Sequence, residues 1–587
     1  MKYRWALEPS QPLLAAKLAK ELKIPELLAQ CLLNRGLDDP DLIGRFLEPR
    51  LKQLGDPFLL PNMQAAVDRL FRARERKEEL VIFGDYDVDG VTSTCLLLEI
   101  LGQLGWIAHS YLPHRMDEGY GLTQEAVDNC LRQFPVTLIL AVDCGSTSTT
   151  VIHSLKQRGV DVIVLDHHQL SESPPQAAAL VNPQLHRDPA GNGRAASGNG
   201  EAPPAFQNLC SVGLAFKLAH AVVKRGRETN LAGSHDFDLR SFLDLVALGT
   251  IADIVPLTGE NRILVAAGLE RLRKTSRPGL VALKGVSQTN GKLGVYEVAF
   301  QLAPRLNAAG RLETASASLA LLLSRDFSEA TCLARNLDHQ NRERQKIEKG
   351  IVEEAAEAVR LRLKEAESFV IVEGQQAWHI GVVGIVASRL LQQFYRPSII
   401  VGGDGDEWRG SGRSIAGFDL AAALRECSDL LVRHGGHCMA AGVTLAAKNL
   451  DLFRDRLDGV ARRLLKAEQL QPPLKLDAEI DLPAVNIHAI RSLDRLKPMG
   501  QGNPPVQLLA RNLVHKRPLQ RVGAAKQHVK MWVTDGKATQ EALWWRAGEE
   551  SLPVGSFDLA FAPQIEQYNG QSAVQLKVLD WRPVAAS

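Results

Sequence analysis

Leu80-Val81-Ile82-Phe83-Gly84-Asp85-Tyr86-Asp87-Val88-Asp89-Gly90 joins a short apolar run to three alternating aspartates and a closing glycine. The apolar part has the length and the β-branched and aromatic content of a buried strand, and the Gly-Asp turn that ends it marks an edge of the sheet. Ala108 to Leu112, Val136 to Val142, Val160 to Leu165 and Ala179 to Val181 repeat the pattern, with helical stretches between and Gly, Asp, Asn or Pro turn chemistry after each. The alternation predicts a doubly wound α/β domain, a parallel sheet covered by helices on both faces. Ligands of such sheets bind beyond the carboxyl ends of the strands. The residues found there are the three aspartates, then Asp143-Cys144-Gly145, then Asp166-His167-His168. A helical run from Asp238 to Gly249 leads into Thr250-Ile251-Ala252-Asp253 and would bring one more carboxylate to the same edge.

Carboxylates crowded together repel unless cations neutralise them, and a set of oxygens with imidazoles suits Mn²⁺ or Mg²⁺ better than metals that seek thiolate. A binuclear site is the simplest arrangement. Two such ions activate a water, polarise a phosphoryl group and stabilise the leaving oxygen, the chemistry of phosphodiester hydrolysis. Taken singly, an Asp-rich turn is as often a solvated cap, and a His-His pair is more often one packed and one exposed histidine. Several such positions, each just after a strand or at a helix end, favour a site.

The 587 residues exceed what one hydrophobic core can organise and predict about three or four domains. Apolar content of 45% with 23% charged residues is that of soluble globular protein, and no apolar run of ~18 residues could span a bilayer. No membrane association is expected. Met1-Lys2-Tyr3-Arg4-Trp5 lacks the character of a secretory signal, so the expected location is cytoplasmic. Eight cysteines without a C-x-x-C pair indicate neither a zinc ribbon nor a disulfide framework. A net charge of +2 neither demands nor excludes nucleic acid.

Residues 186–205, rich in Gly, Pro, Ala and Asn, read as a mobile surface insertion. Ser328 to Ala366 reads as a long helix spacing two domains. A second α/β unit follows, with strands at Phe369 to Val372 and Ser398 to Val401 around an amphipathic segment from Gly384 to Phe394, ending near Val443 to Leu445. After Asp477 the pattern becomes all β, with runs at His528 to Val533, Ala542 to Trp545 and Val574 to Val578, and predicts an OB-like barrel. There Arg511, Lys516, Arg517, Arg521, Lys526 and Lys530 face the single acid Asp535, near Trp532, Trp544 and Trp545. Such a mixture suits single-stranded DNA, unless the tryptophans are core. The division expected is a helical segment over 1–55, the doubly wound domain over 56–325, a connecting helix over 326–368, a smaller α/β domain over 369–465 and the OB-like domain over 466–587.

The triplet Asp166-His167-His168 and the Gly-Asp-Tyr-Asp-Val-Asp-Gly loop resemble the DHH phosphoesterase family, and within it the single-strand-specific DNA exonucleases. The likeness extends to Gly249-Thr250-Ile251-Ala252-Asp253, to Arg305-Leu306-Asn307-Ala308-Ala309-Gly310-Arg311, and to Gly435-Gly436-His437, which looks like part of a DHHA1 substrate-binding domain. The resemblance implies that Asp87, Asp143, His167 and Asp253 bind one metal ion, and that Asp85 and a bridging Asp143 bind the other. His168 would face the scissile phosphate, and Asp166 would orient a neighbouring imidazole from outside the ligand set. Asp143, His167 and His168 are thus the catalytic candidates. Some relatives, such as family II inorganic pyrophosphatases, have histidine where this chain has Val81, which implies weaker binding of the first ion.

Substrate contacts are assigned to Arg115, Arg305, Asn307 and Arg311, the last three in what reads as a Pro- and Gly-marked loop. Ser411 and Arg413 resemble the family's pocket for a terminal 5′-phosphate, and His437 joins the substrate set. The activity implied is 5′ to 3′ removal of mononucleotides from single-stranded DNA by a monomer with two Mn²⁺ or Mg²⁺ ions, in repair and recombination. Single-strand-binding protein and a RecQ-type helicase are the implied partners. The alternatives are a nanoRNase or cyclic-dinucleotide phosphodiesterase, against which the long C-terminal β region argues, and an inactive DNA-binding scaffold, against which the intact metal positions argue.

Overall fold

The computed structural model describes residues 3–115, 117–186, 206–289, 291, 293–362, 368–547, 550–568 and 571–584. All but the first residue of the expected 186–205 insertion lies outside them. The chain divides into two compact units, Glu48–Arg344 with Pro498–Pro504, and Met1–Leu47 with Gln345–Lys497 and Pro505–Ser587.

The first unit is built on strands β1 (Leu80–Gly84), β2 (Ala108–Tyr111), β3 (Leu138–Val142), β4 (Asp161–Leu165) and β5 (Ala179–Val181). They lie in the order β2-β1-β3-β4-β5, all parallel. β1 shows why this sheet must be covered twice. Its side chains alternate between two cores, with Leu80 and Ile82 on one face and Val81 and Phe83 on the other, and all are buried. A strand buried on both sides is continuously apolar in sequence, as this one is. The helices over the first face include α1 (Val88–Gln103), α2 (Ser211–Glu228) and α3 (Leu243–Ala252). Strand order reverses between β1 and β3, so the crevice for a ligand opens where Gly84 passes into Asp85 and Val142 into Asp143.

The Arg305–Arg311 stretch, expected as a loop, lies within a helix, α4 (Ala303–Leu312), entered through a π-helical turn at Val298–Leu302. Pro304 does not oppose this, because it follows closely on the π-helical turn, where the regular i to i−4 hydrogen-bond ladder is already interrupted. Gly310 allows α4 to close on the aspartate loop, since a Cβ there would stand 2.6 Å from the Tyr86 carbonyl oxygen. The chain passes into the second unit within the long helix α5 (Phe327–Arg362).

In the second unit, β6 (Ile371–Gln376), β7 (Ser398–Gly403), β8 (Glu407–Arg413), β9 (Leu431–Gly436) and β10 (Ala440–Ala446) form a mixed sheet in the order β9-β10-β8-β7-β6. Only β6 and β7 are parallel, with α6 (Val383–Phe394) as their crossover. Further on, β11 (Leu508–His515), β12 (His528–Thr534), β13 (Thr539–Trp544), β14 (Phe557–Tyr568) and β15 (Gln571–Pro583) pair in a circuit: β11 with β14, β14 with β15, β15 with β13, β13 with β12, and β12 with β11. This is the connectivity of an OB-like sheet. The first residues of the expected helical segment add a short strand ahead of its helices. Arg4–Leu7 is a strand paired with Pro473–Leu476, and Met1–Leu47 groups with the C-terminal β region. A four-residue strand edge beside a long helical run has too little alternation to be read from sequence alone.

Candidate metal centre

Asp87 ends the first loop as the N-cap of α1, its carboxylate accepting from the N–H groups of Asp89 at 2.8 Å and Gly90 at 3.2 Å. The Val88 N–H is taken by Asn307 Oδ1 at 3.1 Å. The free donors of this helix end are thereby satisfied, and negative charge sits where the helix dipole favours it. Asn307, assigned to substrate from the sequence, thus holds the aspartate loop. Gly90 is required beside it, because a Cβ there would collide with the backbone of Asp85.

Asp143 stands at the end of β3 in the left-handed region, at φ 64°, a conformation that aspartate tolerates better than most residues. Its N–H donates to the Leu165 carbonyl at 3.0 Å, so β4 holds the turn. Asp85, Asp87 and Asp143 bring one carboxylate oxygen each within 4.8 Å of one another. His167 adds a second group around the same Asp143, with its Nε2 3.5 Å from Asp143 Oδ1 and 3.4 Å from Asp253 Oδ2. Asp143 therefore belongs to both groups.

The electrostatics of this cluster are unbalanced. Burial, and then the neighbouring Asp87, push the Asp85 carboxyl well above its usual range. Burial followed by the charges of Asp87, Asp89, Asp253 and Asp85 does the same to Asp143, and burial with Asp89 and Asp87 to Asp253. His167 is driven the other way, down to about 4, by burial and by His168. Its Nε2, Asp85 Oδ1 and Asp253 Oδ2 are buried atoms without a hydrogen-bond partner among the described residues. Buried polar atoms are rarely left unpaired unless a water or ion completes them. Carboxylates and a neutral imidazole that converge with so little counter-charge fit divalent cations with oxygen and nitrogen ligands. Val81 is buried in the same core as Phe83.

His168 has the opposite character. Its Nδ1 meets Asp166 Oδ1 at 2.7 Å, and that bond with the Asp166 charge outweighs burial and raises its pKa to about 9. Asp166 is buried, yet the hydrogen bond and charge of His168, with the Ser146 N–H at 2.9 Å, hold it below the usual carboxylate range. The acceptor role expected of Asp166 is thus exercised on His168 and not on His167. The outer His168 Nε2 lies 3.2 Å from the Tyr120 hydroxyl, on a side chain that is about one-third exposed. His168 offers a positive donor at the mouth of the cluster.

Among the arginines, Arg115 lies over the Tyr86 ring at 5.1 Å. Arg311, in α4, is pushed down to about 10 by burial and then by the charges of Arg115 and Arg344. Three guanidinium groups therefore share one neighbourhood beside the aspartate loop. Arg344 was missed because it lies in a long charged helix that reads as a spacer. Arg305 is committed elsewhere, with its Nε 2.8 Å from Asp338 Oδ1.

In the second unit, Arg413 donates to Ser411 Oγ at 2.7 Å from the same face of β8. A Cβ on Gly384, in the first turn of α6, would stand 3.1 Å from Ser411 Oγ and 3.3 Å from an Arg413 amino group. The pair thus sits against a helix N-terminus, which favours anions. His437 is exposed in the turn between β9 and β10. Trp544 is buried, Trp532 lies under Arg517 and Lys530 at 5.3 and 5.1 Å, and Trp545 is 49% exposed beside His528.

A parallel sheet carrying acids and histidines at its switch point defines a phosphoesterase of the DHH class, and the chain matches the models of the DHH family N-terminal domain over residues 79–250, the DHHA1 domain over 367–463 and the RecJ OB domain over 476–580. It is 37% identical to the single-stranded-DNA-specific exonuclease RecJ of Bacillus subtilis (strain 168), over 99% of this chain and 71% of that one. With RecJ of Escherichia coli (strain K12) it shares 33% identity over 96% of each. The crystal structure of RecJ in complex with Mn²⁺ from Thermus thermophilus superposes with a TM-score of 0.82 at 30% identity, covering all of this chain and 80% of that one. The chain belongs to the RecJ family.

Proposed function

We propose that this protein is a metal-dependent exonuclease specific for single-stranded DNA, hydrolysing phosphodiester bonds from the 5′ end to release mononucleotides. The observation that carries the reading is Asp143, shared by two ligand groups in which buried atoms of Asp85, Asp253 and His167 have no hydrogen-bond partner among the described residues. Asp85 and a bridging Asp143 would hold one divalent cation, and Asp87, Asp143, His167 and Asp253 the other. Mn²⁺ or Mg²⁺ bound there would supply Lewis acidity toward a phosphoryl oxygen and would lower the pKa of water. Asp143 joins the two groups and fixes their separation. His168, kept protonated by Asp166, donates from Nε2 to a phosphate oxygen and opposes the negative charge that grows on it. Arg115 and Arg311 orient the phosphodiester through paired N–H donors. Asn307 and Asp166 position, the first through the aspartate loop and the second through His168. In the second unit Ser411 and Arg413, backed by the start of α6, receive a terminal 5′-phosphate, with His437 as a further contact.

The five-part division drawn from the sequence, a cytoplasmic monomer, a role in repair and recombination, and work alongside single-strand-binding protein and a RecQ-type helicase belong to the same proposal, supported by the family likeness. Among the described residues, no helix is long and apolar enough to cross a membrane. The deciding experiment is time-resolved digestion of a 5′-phosphorylated single strand labelled at its 3′ end, with Mn²⁺, Mg²⁺ or chelator, beside duplex and RNA. Metal-dependent shortening of single-stranded DNA from the 5′ end is expected. Binding without cleavage would replace the reading with a scaffold, and attack on very short oligomers alone with a nanoRNase.

A further inference from the structure

The cluster contains one carboxylate that the two ligand groups leave over. Asp89 is fully buried, and both of its oxygens are occupied by the start of α2: Oδ2 accepts from Ser211 N–H at 2.7 Å, and Oδ1 from Val212 N–H at 2.8 Å. These N–H groups belong to the first helical turn and have no acceptor within the helix, so the carboxylate both satisfies them and complements the helix dipole. What Asp89 fixes is the position of the first residue of α2. That residue is Ser211, itself fully buried, and its hydroxyl donates to Asp143 Oδ1 at 2.9 Å.

The bond matters because of what leaves Asp143 free. Its backbone is set by φ 64° and by the N–H bond to Leu165, but rotation of a carboxylate about its last torsion is broad and roughly two-fold. Backbone geometry alone therefore does not decide how its two oxygens face the neighbouring ligands. A serine hydroxyl has one proton to donate, and here it goes to the oxygen that also lies 3.5 Å from His167 Nε2. We propose that Ser211, held in place by Asp89, is a positioning residue that orients the shared Asp143 carboxylate and so sets the affinity of the centre for divalent cations. The inference rests on the two-cation reading above. It gives the third aspartate of the loop a task that needs no metal contact, and it links that loop to Asp143 through a helix that begins more than a hundred residues later in the chain.

The test is Mn²⁺ binding to the full chain without DNA, followed by the electron paramagnetic resonance signal of the free ion. Ser211→Ala is expected to weaken binding about 10- to 100-fold, the usual range for losing an outer partner of a metal ligand, while melting of the metal-free protein changes little. Ser211→Thr, which keeps the hydroxyl, restores affinity. Asp89→Asn also weakens binding, and combined with Ser211→Ala it weakens it by less than the product of the two separate losses, because both act through one hydrogen bond. If Ser211→Ala does not fold, Ser211→Cys, which fills the space with a weaker donor, is held to the same criterion. Unchanged affinity in a folded Ser211 variant lacking the hydroxyl, against a wild type that binds Mn²⁺, would overturn the role of Ser211 alone. A wild type that binds no Mn²⁺ would overturn the two-cation reading and this inference with it.

Discussion

The acid cluster at the β1/β3 switch point and the basic face of the C-terminal β region both look like charge concentrations in sequence, but they solve their electrostatics in opposite ways. In the β region prominent bases find local partners. Arg511 meets Glu479 at 2.7 Å and Asp558 at 3.0 Å, and Lys530 meets Glu541 at 2.6 Å across the strand pair. At the switch point, burial of Asp85, Asp143 and Asp253, with the nearby charges of Asp87 and Asp89, outweighs the protein's own cations, and their pKa values rise accordingly. A charge excess along the sequence is weak testimony to a ligand, because distant strands supply acids that a window of sequence does not contain. An excess that persists after folding, among buried atoms, is much stronger.

The largest effect should follow from removing the carboxylate shared by the two ligand groups. Asp143→Ala is expected to lower kcat by more than about 10³-fold, since losing one electrostatic donor alone typically costs about 10²–10³-fold. Binding of a single strand, measured by fluorescence anisotropy, should remain. Cleavage at the wild-type rate would break the comparison on its acidic side, because the cluster would then be a buried charge defect with no catalytic task.

On the other side the two adjacent tryptophans separate core from surface. Trp544 is 8% exposed and Trp545 49%, on successive residues at the end of β13. Trp544→Ala should destabilise the fold by about 3–5 kcal/mol in chemical denaturation. Trp545→Ala should leave stability nearly unchanged and weaken single-strand binding by about 1–3 kcal/mol, the usual worth of one base stacked on an aromatic ring. Equal effects of the two on stability would show that Trp545 is packed rather than presented.

A smaller effect is expected at Arg413. Its replacement by Ala should reduce the preference for a 5′-phosphate over a 5′-hydroxyl end by about tenfold, consistent with a charge-assisted hydrogen bond worth about 1.5–3 kcal/mol partly offset by the remaining Ser411 and helix donors. Competition between the two substrates in one reaction reads this directly. An unchanged ratio would place the terminal phosphate elsewhere.

The doubly wound sheet was legible because β1, β3 and, after its first residue Asp161, β4 are apolar runs, which only a sheet covered on both faces requires, and because the acids follow them at once. The site residues on those loops were legible for the same reason. What could not be read is contact between elements distant in sequence. Ser211 reaches Asp143 across 68 residues, and nothing in the helical pattern of Ser211–Glu228 marks its first hydroxyl. Arg305 and Arg311 look alike in sequence, yet Asp338, a full 33 residues on, claims the first while the second lies near Arg115 and Arg344. Pro304 and Gly310 suggested a loop because proline and glycine usually punctuate; in α4 one follows on a π-helical turn and the other allows a close approach to Tyr86.

Arg511 provides the finest test of the contrast. It is half-exposed, and its guanidinium is shared between Glu479 and Asp558, whose hydrogen bonds and charges raise its pKa. A base neutralised by two carboxylates has little charge left for a phosphate, and taking it from them would strip two partners to gain one. A phosphate contact with single-stranded DNA contributes about 0.7 to the slope of log affinity against log salt. Arg511→Ala should therefore leave that slope unchanged, whereas Lys526→Ala, at an exposed turn position with no ion pair among the described residues, should reduce it. If Arg511→Ala lowers the slope by the full contact, the Glu479 and Asp558 pairs open when DNA binds, and the basic face is a switch between internal and external partners rather than a surface already at rest.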